Sequence, residues 1–196
     1  MVLSATTGWT VRSGNAWCLI RGVSRHDRHA QQRMLQSYGS MVFGLISRII
    51  TSQEDAEEIY QDVFVKVFSN IDAYDESKAS LATWISRIAY NECVSFTRRN
   101  KPPIIYVDDS EVDLESIQDD VLTRVFLQQD EPTILLIEKA LDYLPPEELA
   151  LITMFYFDDK SIKDIAFITE STPTNVATRL CRTRRKLYRI IKSVKE

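Results

Sequence analysis

Apolar side chains recur at helical spacing over long stretches of this chain, and this periodicity limits the fold more than any other feature. One stripe runs from Ala30 to Ile50, and a second follows Ser52. The first contains Leu35, Tyr38, Val42, Leu45, Ile46 and Ile49, and the second contains Ala56, Ile59, Tyr60, Val63, Phe64, Val67 and Phe68. Because the chain has only five glycines and few alternating apolar and polar runs, it is predicted to be all-α.

Capping residues mark where the N-terminal helices begin. Ser52-Gln53-Glu54-Asp55 forms a capping box, which predicts a helix to about Asn70. The polar stretch 71–79 is predicted to be a loop. Ser80 can cap a third helix that ends near Arg99, before Pro102-Pro103. Three helices in this order predict one small compact domain.

The last third of the chain has the order of elements of a helix-turn-helix. An apolar helix through Tyr143 precedes Pro145-Pro146, which start a helix ending near Phe157. Ser161-Ile162-Lys163-Asp164 is a second capping box and opens a helix of about eight residues. Thr172-Pro173 then starts a long basic helix. A short helix, a tight turn and a basic helix are typical of DNA-binding domains.

Charge is distributed unevenly, although the net charge is only −4. Nine acidic residues lie between Lys101 and Ile137, opposed only by Lys101 and Arg124. From Val176 onward eight basic residues are opposed by Glu196 alone. The first segment is predicted to be an acidic linker between two domains, and the second a helix that binds nucleic acid.

The basic helix has two chemically different sides. Val176, Leu180, Thr183 and Leu187 share the side predicted to pack, and Asn175, Thr178, Arg182, Arg185 and Arg189 share the other. Arginine suits a groove because its planar fork bonds either phosphate oxygens or a guanine edge. Early residues of the helix are best placed for bases and later arginines for phosphates. The alternative is an ordinary solvated helix end, and the capped helix before it favours DNA binding.

Two further helix faces allow both a functional and an ordinary interpretation. Trp84, Arg87, Asn91 and Arg98 share a stripe, with Thr83 and Tyr90 alongside. An indole, an amide and guanidinium groups could stack on unpaired bases, or Trp84 could be a partly buried core residue among surface side chains. Spacing alone does not decide between them. Val65 amid Glu58, Gln61 and Asp62 is weak evidence for a docking surface, and an ordinary acidic face is favoured.

Several functional classes find no support in the sequence. There is no glycine-rich phosphate loop, no cluster of metal ligands and no nucleophile with a local base, so we expect no enzyme, no cofactor and no metal. The longest apolar run, Ile134 to Ile137, is too short for a membrane span, and the first twenty residues lack a signal peptide. We therefore expect a cytoplasmic protein without membrane insertion. Cys18, Cys93 and Cys181 are interpreted as buried structural thiols rather than a redox switch.

Two ordered motifs resemble a known family. Residues 55–64, DAEEIYQDVF, followed by residues 84–91, WISRIAYN, resemble region 2 of the extracytoplasmic-function (ECF) sigma factors of the sigma-70 superfamily. Leu144-Pro145, Ile165-Ala166, Val176, Arg179-Leu180 and Arg182-Thr183-Arg184 resemble region 4. The ordered pair, around an acidic linker, covers about residues 24–100 and 133–192.

The resemblance implies an RNA polymerase sigma factor that directs promoter-specific initiation by binding core polymerase and the −10 and −35 elements. It implies region 2, a three-helix-type bundle, at 23–102 and region 4 at 132–196. The acidic linker would span 103–131, and residues 1–22 would be a disordered extension. The implied partners are the core polymerase, through its largest-subunit clamp helices and its flap region, and promoter DNA. An anti-sigma protein is a further candidate partner.

The resemblance also assigns residues to each partner. Polymerase binding falls on Asp55, Glu58, Gln61, Asp62 and Val65. Binding of the opened −10 strand falls on Tyr74, Ser80, Thr83, Trp84, Arg87, Asn91 and Arg98. Binding of the −35 duplex falls on Thr174, Asn175, Thr178, Arg179, Arg182, Arg185 and Lys186.

Two positions depart from the family pattern. Thr169-Glu170-Ser171 stands where relatives commonly have a glycine and an apolar residue, which leaves the conformation of the turn open. Ala177 stands where many carry a basic residue, which removes one expected DNA contact. The rival function is a stand-alone helix-turn-helix regulator that binds duplex operators. A metal-dependent nuclease has only the number of carboxylates in its favour.

Overall fold

The computed structural model describes residues 13–100 and 139–195. Its helices are α1 (Ser13–Ser24), α2 (Arg28–Ile49), α3 (Gln53–Ser69), α4 (Leu81–Asn100), α5 (Pro146–Ile152), α6 (Ile162–Ile168) and α7 (Pro173–Lys195). A 3₁₀ turn at Ile71–Ala73 follows α3, and a π-helical turn at Thr153–Phe157 extends α5. The described ranges contain no strand, and the all-α prediction is confirmed.

The N-terminal half is a bundle of α2, α3 and α4, with α1 packed on α2. Its core is formed by buried apolar side chains from each helix, among them Val42, Ile46, Val63 and Ile85. Burial of these side chains supplies the main stabilising free energy, since each contributes roughly 1.5–3 kcal/mol when fully removed from water. Gly39 lets α2 and α3 approach closely, because a Cβ there would lie 2.5 Å from the Tyr60 hydroxyl oxygen.

Helix α1 differs from the sequence expectation. Residues 1–22 were expected to be a disordered extension, whereas Ser13–Ser24 is helical and buries Leu19 and Val23 against the bundle. Gly22 permits the contact, since a Cβ at that position would lie 2.5 Å from the Cβ of Ala30. A helix of twelve residues is marginal in isolation, so burial of Leu19 and Val23 against the bundle stabilises α1. Residues 1–12 lie outside the described ranges.

The capping residues act as the sequence predicted. Ser52 Oγ accepts from the Asp55 amide at 3.3 Å, and Ser161 Oγ accepts from the Asp164 amide at 3.1 Å. Thr172 Oγ1 likewise accepts from the Asn175 amide at 3.2 Å, at the start of α7. Each side chain therefore satisfies a free amide in the first turn of its helix.

The C-terminal half is a small bundle of α5, α6 and α7. Leu151, Ile165, Ile168 and Leu187 are fully buried between these helices. This half also packs on the first one, through contacts of α2 and α4 with α5 and α6. The predicted linker at 103–131 lies outside the described residues, and so does the apolar helix expected before Lys139.

Candidate nucleic-acid and protein interfaces

Helix α7 has the two sides that its sequence predicts. Val176, Leu180, Thr183 and Leu187 are all buried against α5 and α6. The residues of the other side at the start of the helix, Thr174, Asn175, Ala177, Thr178 and Arg182, are exposed. A shallow depression of about 440 Å³ is lined by Ala177, Thr178, Cys181, Arg182 and Arg185. The exposed side at the start of α7 thus presents hydroxyl, amide and guanidinium groups, which can bond base edges.

Two basic residues assigned to DNA bind acids of α5 instead. Arg179 lies 3.5 Å from a carboxylate oxygen of Glu147, and Lys186 Nζ lies 3.1 Å from Glu148. Burial raises the pKa of the nearby Tyr90 hydroxyl, the Glu147 carboxylate adds to this shift, and the Arg179 guanidinium opposes it. In this structure both cations hold α7 on α5.

Arg185, also on α7, has an unused donor. Its Nε is buried and makes no hydrogen bond within the described residues. A buried donor without a partner is costly. Arg185 also lines the depression beside Thr178 and Arg182.

The turn between α6 and α7 adopts a conformation that favours glycine. Glu170 has a φ of 53°, in the left-handed region, and the Ser171 amide donates to the Ala166 carbonyl at 2.9 Å. This hydrogen bond closes the C-terminal end of α6 in the manner of a Schellman motif. The turn thus places a residue other than glycine in the left-handed region, at the cost of backbone strain at Glu170.

Trp84 lies half-buried beside the loop that precedes α4. Its ring meets the Tyr74 ring edge-on, with centroids 5.7 Å apart. The Tyr74 hydroxyl donates to the Ala79 carbonyl at 3.1 Å and so fixes the loop. A shallow pocket of about 400 Å³ opens next to the indole, lined by Lys66, Asn70, Ala73, Trp84, Arg87, Ile88, Asn91 and Glu92. The sequence missed Lys66 and Asn70, because they come from the end of α3.

Thr83 and Tyr90 were predicted to lie alongside the exposed stripe of α4, but they do not. Thr83 is only 2 % exposed, and Tyr90 is also buried. Ser80 Oγ accepts from the Thr83 amide at 3.1 Å and lies 2.8 Å from its hydroxyl oxygen. The Thr83 hydroxyl also donates to Asp164 at 3.1 Å, in the other half of the molecule. Contact between the two halves, which spacing within one helix cannot indicate, accounts for the burial of Thr83.

Several ion pairs join the two halves, and they share one polarity. Arg87 contacts Glu170 at 2.6 Å, Arg48 contacts Asp158 at 3.0 Å, and Arg98 approaches Glu147 at 4.0 Å. In each pair the base belongs to the N-terminal half and the acid to the C-terminal half. Arg48 and Arg87 also lie over the rings of Phe157 and Phe167, 4.9 Å and 5.1 Å from their centroids. Arg87 is thus held by an acid and an aromatic ring in the position where it was expected to bind DNA.

The acidic face of α3 lies open. Glu58, Gln61 and Asp62 are exposed, and Val65 is 61 % exposed, whereas Asp55 is half-buried at the helix start. Beside this face lies a depression of about 240 Å³ lined by Glu58, Ile59, Asp62, Glu92, Phe96 and Arg99. A single exposed valine is ordinary on a protein surface and does not by itself mark a contact. Sequence reasoning did not include Phe96 and Arg99.

Cysteine placement differs from the expectation of three buried thiols. Cys93 is buried, and burial raises the pKa of its thiol to about 12. Cys181 is half-buried and Cys18 is exposed. The interpretation as buried structural thiols is therefore wrong for Cys18.

Two further properties of the described residues bear on other functions. No group of three or more histidine, cysteine, aspartate or glutamate side chains there is arranged to hold a metal ion. None of the helices in those ranges has the length and apolar character needed to cross a membrane.

Comparison with known families and proteins gives a consistent result. Residues 34–102 match the family model "Sigma-70 region 2", and residues 134–187 match "Sigma-70, region 4". The ECF RNA polymerase sigma factor SigW of Bacillus subtilis is 25 % identical over 89 % of this chain and 96 % of its own length. The ECF sigma factor RpoE of Cereibacter sphaeroides is 28 % identical over 76 % of this chain and 79 % of its own.

Two solved structures share the fold. CnrH, determined in complex with the cytosolic domain of CnrY, has a TM-score of 0.62 at 16 % identity, covering 90 % of this chain and 96 % of that one. The sigma factor RpoE in complex with the anti-sigma factor NepR, from Bartonella quintana, has a TM-score of 0.59 at 19 % identity. The match covers 82 % of this chain and 96 % of that one.

The chain has a helical half that matches the region 2 model, followed by a helix-turn-helix half that matches the region 4 model. This combination defines an RNA polymerase sigma factor. The chain belongs to the ECF group of the sigma-70 family. It directs promoter-specific initiation of transcription by binding core polymerase and promoter DNA. The resemblance stated from the sequence is confirmed, and sigma factors are in general non-catalytic.

Proposed function

We propose that the surfaces described above bind different partners of this sigma factor. The observation that carries the proposal is the sidedness of α7, which buries one stripe and leaves Asn175, Thr178 and Arg182 exposed at its start. Residues at the start of a recognition helix are the ones that reach base edges. Region 4 would therefore read the −35 element as a duplex, with Thr174 among the base-contacting residues.

The remaining −35 residues would act through phosphates. Arg185 lines the depression on the exposed side of α7, whereas Arg179 and Lys186 pair with Glu147 and Glu148 of α5. Arg179 and Lys186 would each have to exchange a carboxylate for a phosphate on binding DNA. Such an exchange preserves the charge pairing and changes only the partner.

Region 2 would capture the opened −10 strand beside Trp84. The half-buried indole, the shallow pocket next to it and Asn91 on its rim combine a stacking surface with hydrogen-bonding groups. Opening a duplex and flipping a base costs a few kcal/mol, which stacking can offset at about 1–3 kcal/mol per base. The remaining members of the surface would be Tyr74, Ser80, Thr83, Arg87 and Arg98.

Polymerase would dock on the exposed face of α3. Glu58, Gln61, Asp62 and Val65 lie there, with Asp55 at its edge. By the family resemblance this face meets the clamp helices of the largest subunit, and region 4 meets the flap region. Phe96 and Arg99, next to this face, would extend it.

The broader setting follows from the same family. We propose a cytoplasmic factor without catalytic groups or cofactors, built as region 2 at 23–102, a linker at 103–131 and region 4 at 132–196. An anti-sigma protein is a proposed partner, because CnrH and the Bartonella RpoE were both solved with a bound protein, and the protein bound to RpoE is the anti-sigma factor NepR.

Purified chain should be mixed with core polymerase and a promoter template located by mapping transcript starts after forced expression. We expect promoter-dependent transcripts that require both proteins. Glu58→Arg/Asp62→Arg should reduce core binding because it reverses the charge of the α3 face, whereas Lys139→Gln on region 4 should not. Tight operator binding without polymerase would support the stand-alone regulator instead, and failure to bind core would overturn the proposal.

A further inference from the structure

The corner where α1 meets α2 carries an exposed basic surface that none of the roles above uses. We name it the basic corner, and its members are Arg21, Arg25, His26, Arg28, His29 and Arg33. Asp27 is the single acid between positions 13 and 53. A local excess of positive charge in a chain of net charge −4 indicates an anionic partner.

The four arginines of the basic corner have no acidic partner in the part of the chain that the structure describes. No carboxylate oxygen in those ranges lies within 4.0 Å of their guanidinium nitrogens. Arg21 instead lies over the Trp17 ring, 5.3 Å from its centroid, and Trp17 is itself 57 % exposed. Within the described residues, these guanidinium groups are therefore available to a ligand from solution.

Helix stability explains only part of this charge. Arg21 lies in the last turn of α1, where a cation favours the helix dipole. Arg28, however, lies in the first turn of α2, where a positive charge opposes the dipole and the N-cap Asp27 is the acid that offsets it. The helix dipole therefore gives no reason for the arginines of α2, Arg28 and Arg33.

The basic corner is fixed beside the surface proposed for the −10 strand. The Ser24 hydroxyl donates to the Asp72 carboxylate at 2.6 Å, which ties the end of α1 to the 3₁₀ turn. Asp72 precedes Tyr74, the first residue of the −10 loop, by two positions. The tight contact of Gly22 with Ala30 locks α1 on α2. DNA held at the −10 loop would thus run close to the basic corner.

We propose that the basic corner binds the phosphate backbone of promoter DNA that flanks the −10 element. Guanidinium groups bond phosphate oxygens strongly, and contacts to phosphates carry no sequence information directly. Its contribution is therefore independent of sequence and dependent on salt. The inference rests on the proposed −10 role of the neighbouring loop.

The test compares holoenzymes built with wild type, Arg25→Gln/Arg28→Gln and Arg25→Lys/Arg28→Lys. Affinity for a duplex promoter fragment is measured against salt concentration. The glutamine variant should lower the slope of log affinity against log salt by about 1.8, that is, about 0.9 for each lost phosphate contact. The loss of affinity of the glutamine variant relative to wild type should then shrink about 12-fold between about 50 and 200 mM salt. The lysine variant should keep the wild-type slope.

Two controls separate the possible failures. Lys139→Gln removes one charge from an exposed site in region 4 and should leave the slope unchanged. A bare −10 oligonucleotide should bind wild type and glutamine variant equally, since it lacks flanking phosphates. Equal slopes on the duplex, a deficit on the bare oligonucleotide, or loss of core binding in the glutamine variant would each overturn the inference. Failure of the wild-type holoenzyme to bind the promoter would instead overturn the proposed function.

Discussion

Glu170 shows what a single residue contributes to this fold. It occupies the left-handed position of the turn between α6 and α7 and also forms the ion pair with Arg87. Glycine would suit the backbone better but could not reach Arg87. The side chain therefore joins the two halves of the molecule at the expense of local strain.

Substitutions at Glu170 can separate strain from charge. Glu170→Gln keeps the left-handed strain and removes the charge, whereas Glu170→Gly removes both. We expect the glycine variant to have a free energy of unfolding about 1–2 kcal/mol larger than the glutamine variant, because only a residue with a Cβ is strained there. Urea unfolding followed by circular dichroism measures the difference. Equal stabilities would show that the turn is unstrained.

Helix α7 shows how one element combines packing with recognition. Its buried stripe fixes its orientation on α5 and α6, and this leaves Arg182 near the start and Arg189 farther along on the exposed side. Position along the helix should therefore separate base contacts from phosphate contacts.

Two arginine variants test that separation. Arg182→Ala should reduce discrimination between the correct and a mutated −35 base pair by about 1–3 kcal/mol, because it removes a base contact. Arg189→Ala should weaken binding to all sequences alike and reduce the salt slope by about 1. Competition binding of the holoenzyme to promoter variants measures both effects. Equal loss of discrimination in the two variants would contradict the assignment.

At the scale of the whole molecule, the contact between the halves competes with the DNA surfaces. Arg87 and Thr83 are engaged by Glu170 and Asp164, so a −10 strand reaches them only after the halves separate. Exposed ion pairs are individually weak, at roughly 0–1 kcal/mol. A contact built from several of them can therefore open on binding polymerase and DNA.

The pair Arg48 and Asp158 tests this competition without altering a proposed DNA contact. Arg48→Glu places two acids together and should open the halves, which raises the radius of gyration and the affinity of the free chain for a −10 oligonucleotide. Arg48→Glu/Asp158→Arg restores an ion pair of reversed polarity and should restore both values. X-ray scattering measures the radius of gyration, and fluorescence anisotropy measures the affinity for the −10 oligonucleotide. An unchanged radius in the single variant would contradict the prediction.

Local signals in the sequence were sufficient for helices α2 to α7 and for the two sides of α7. Caps at Ser52, Ser161 and Thr172 and the stripe at Val176, Leu180, Thr183 and Leu187 act between residues close along the chain, so their spacing determines their geometry. The family motifs likewise indicated the sigma-factor function, because they consist of ordered residues at fixed separations.

Only the tertiary structure determines which of these side chains are held by the other half of the molecule. Arg87 shares the exposed stripe of α4 with Trp84, and Thr83 lies beside that stripe, yet Thr83 and Arg87 are held by the other half of the molecule. Helix α1 and its basic corner likewise exist because Leu19 and Val23 are buried on α2. Burial and ion pairs between distant segments depend on how helices are arranged in space, and periodicity within one helix carries no information about that arrangement.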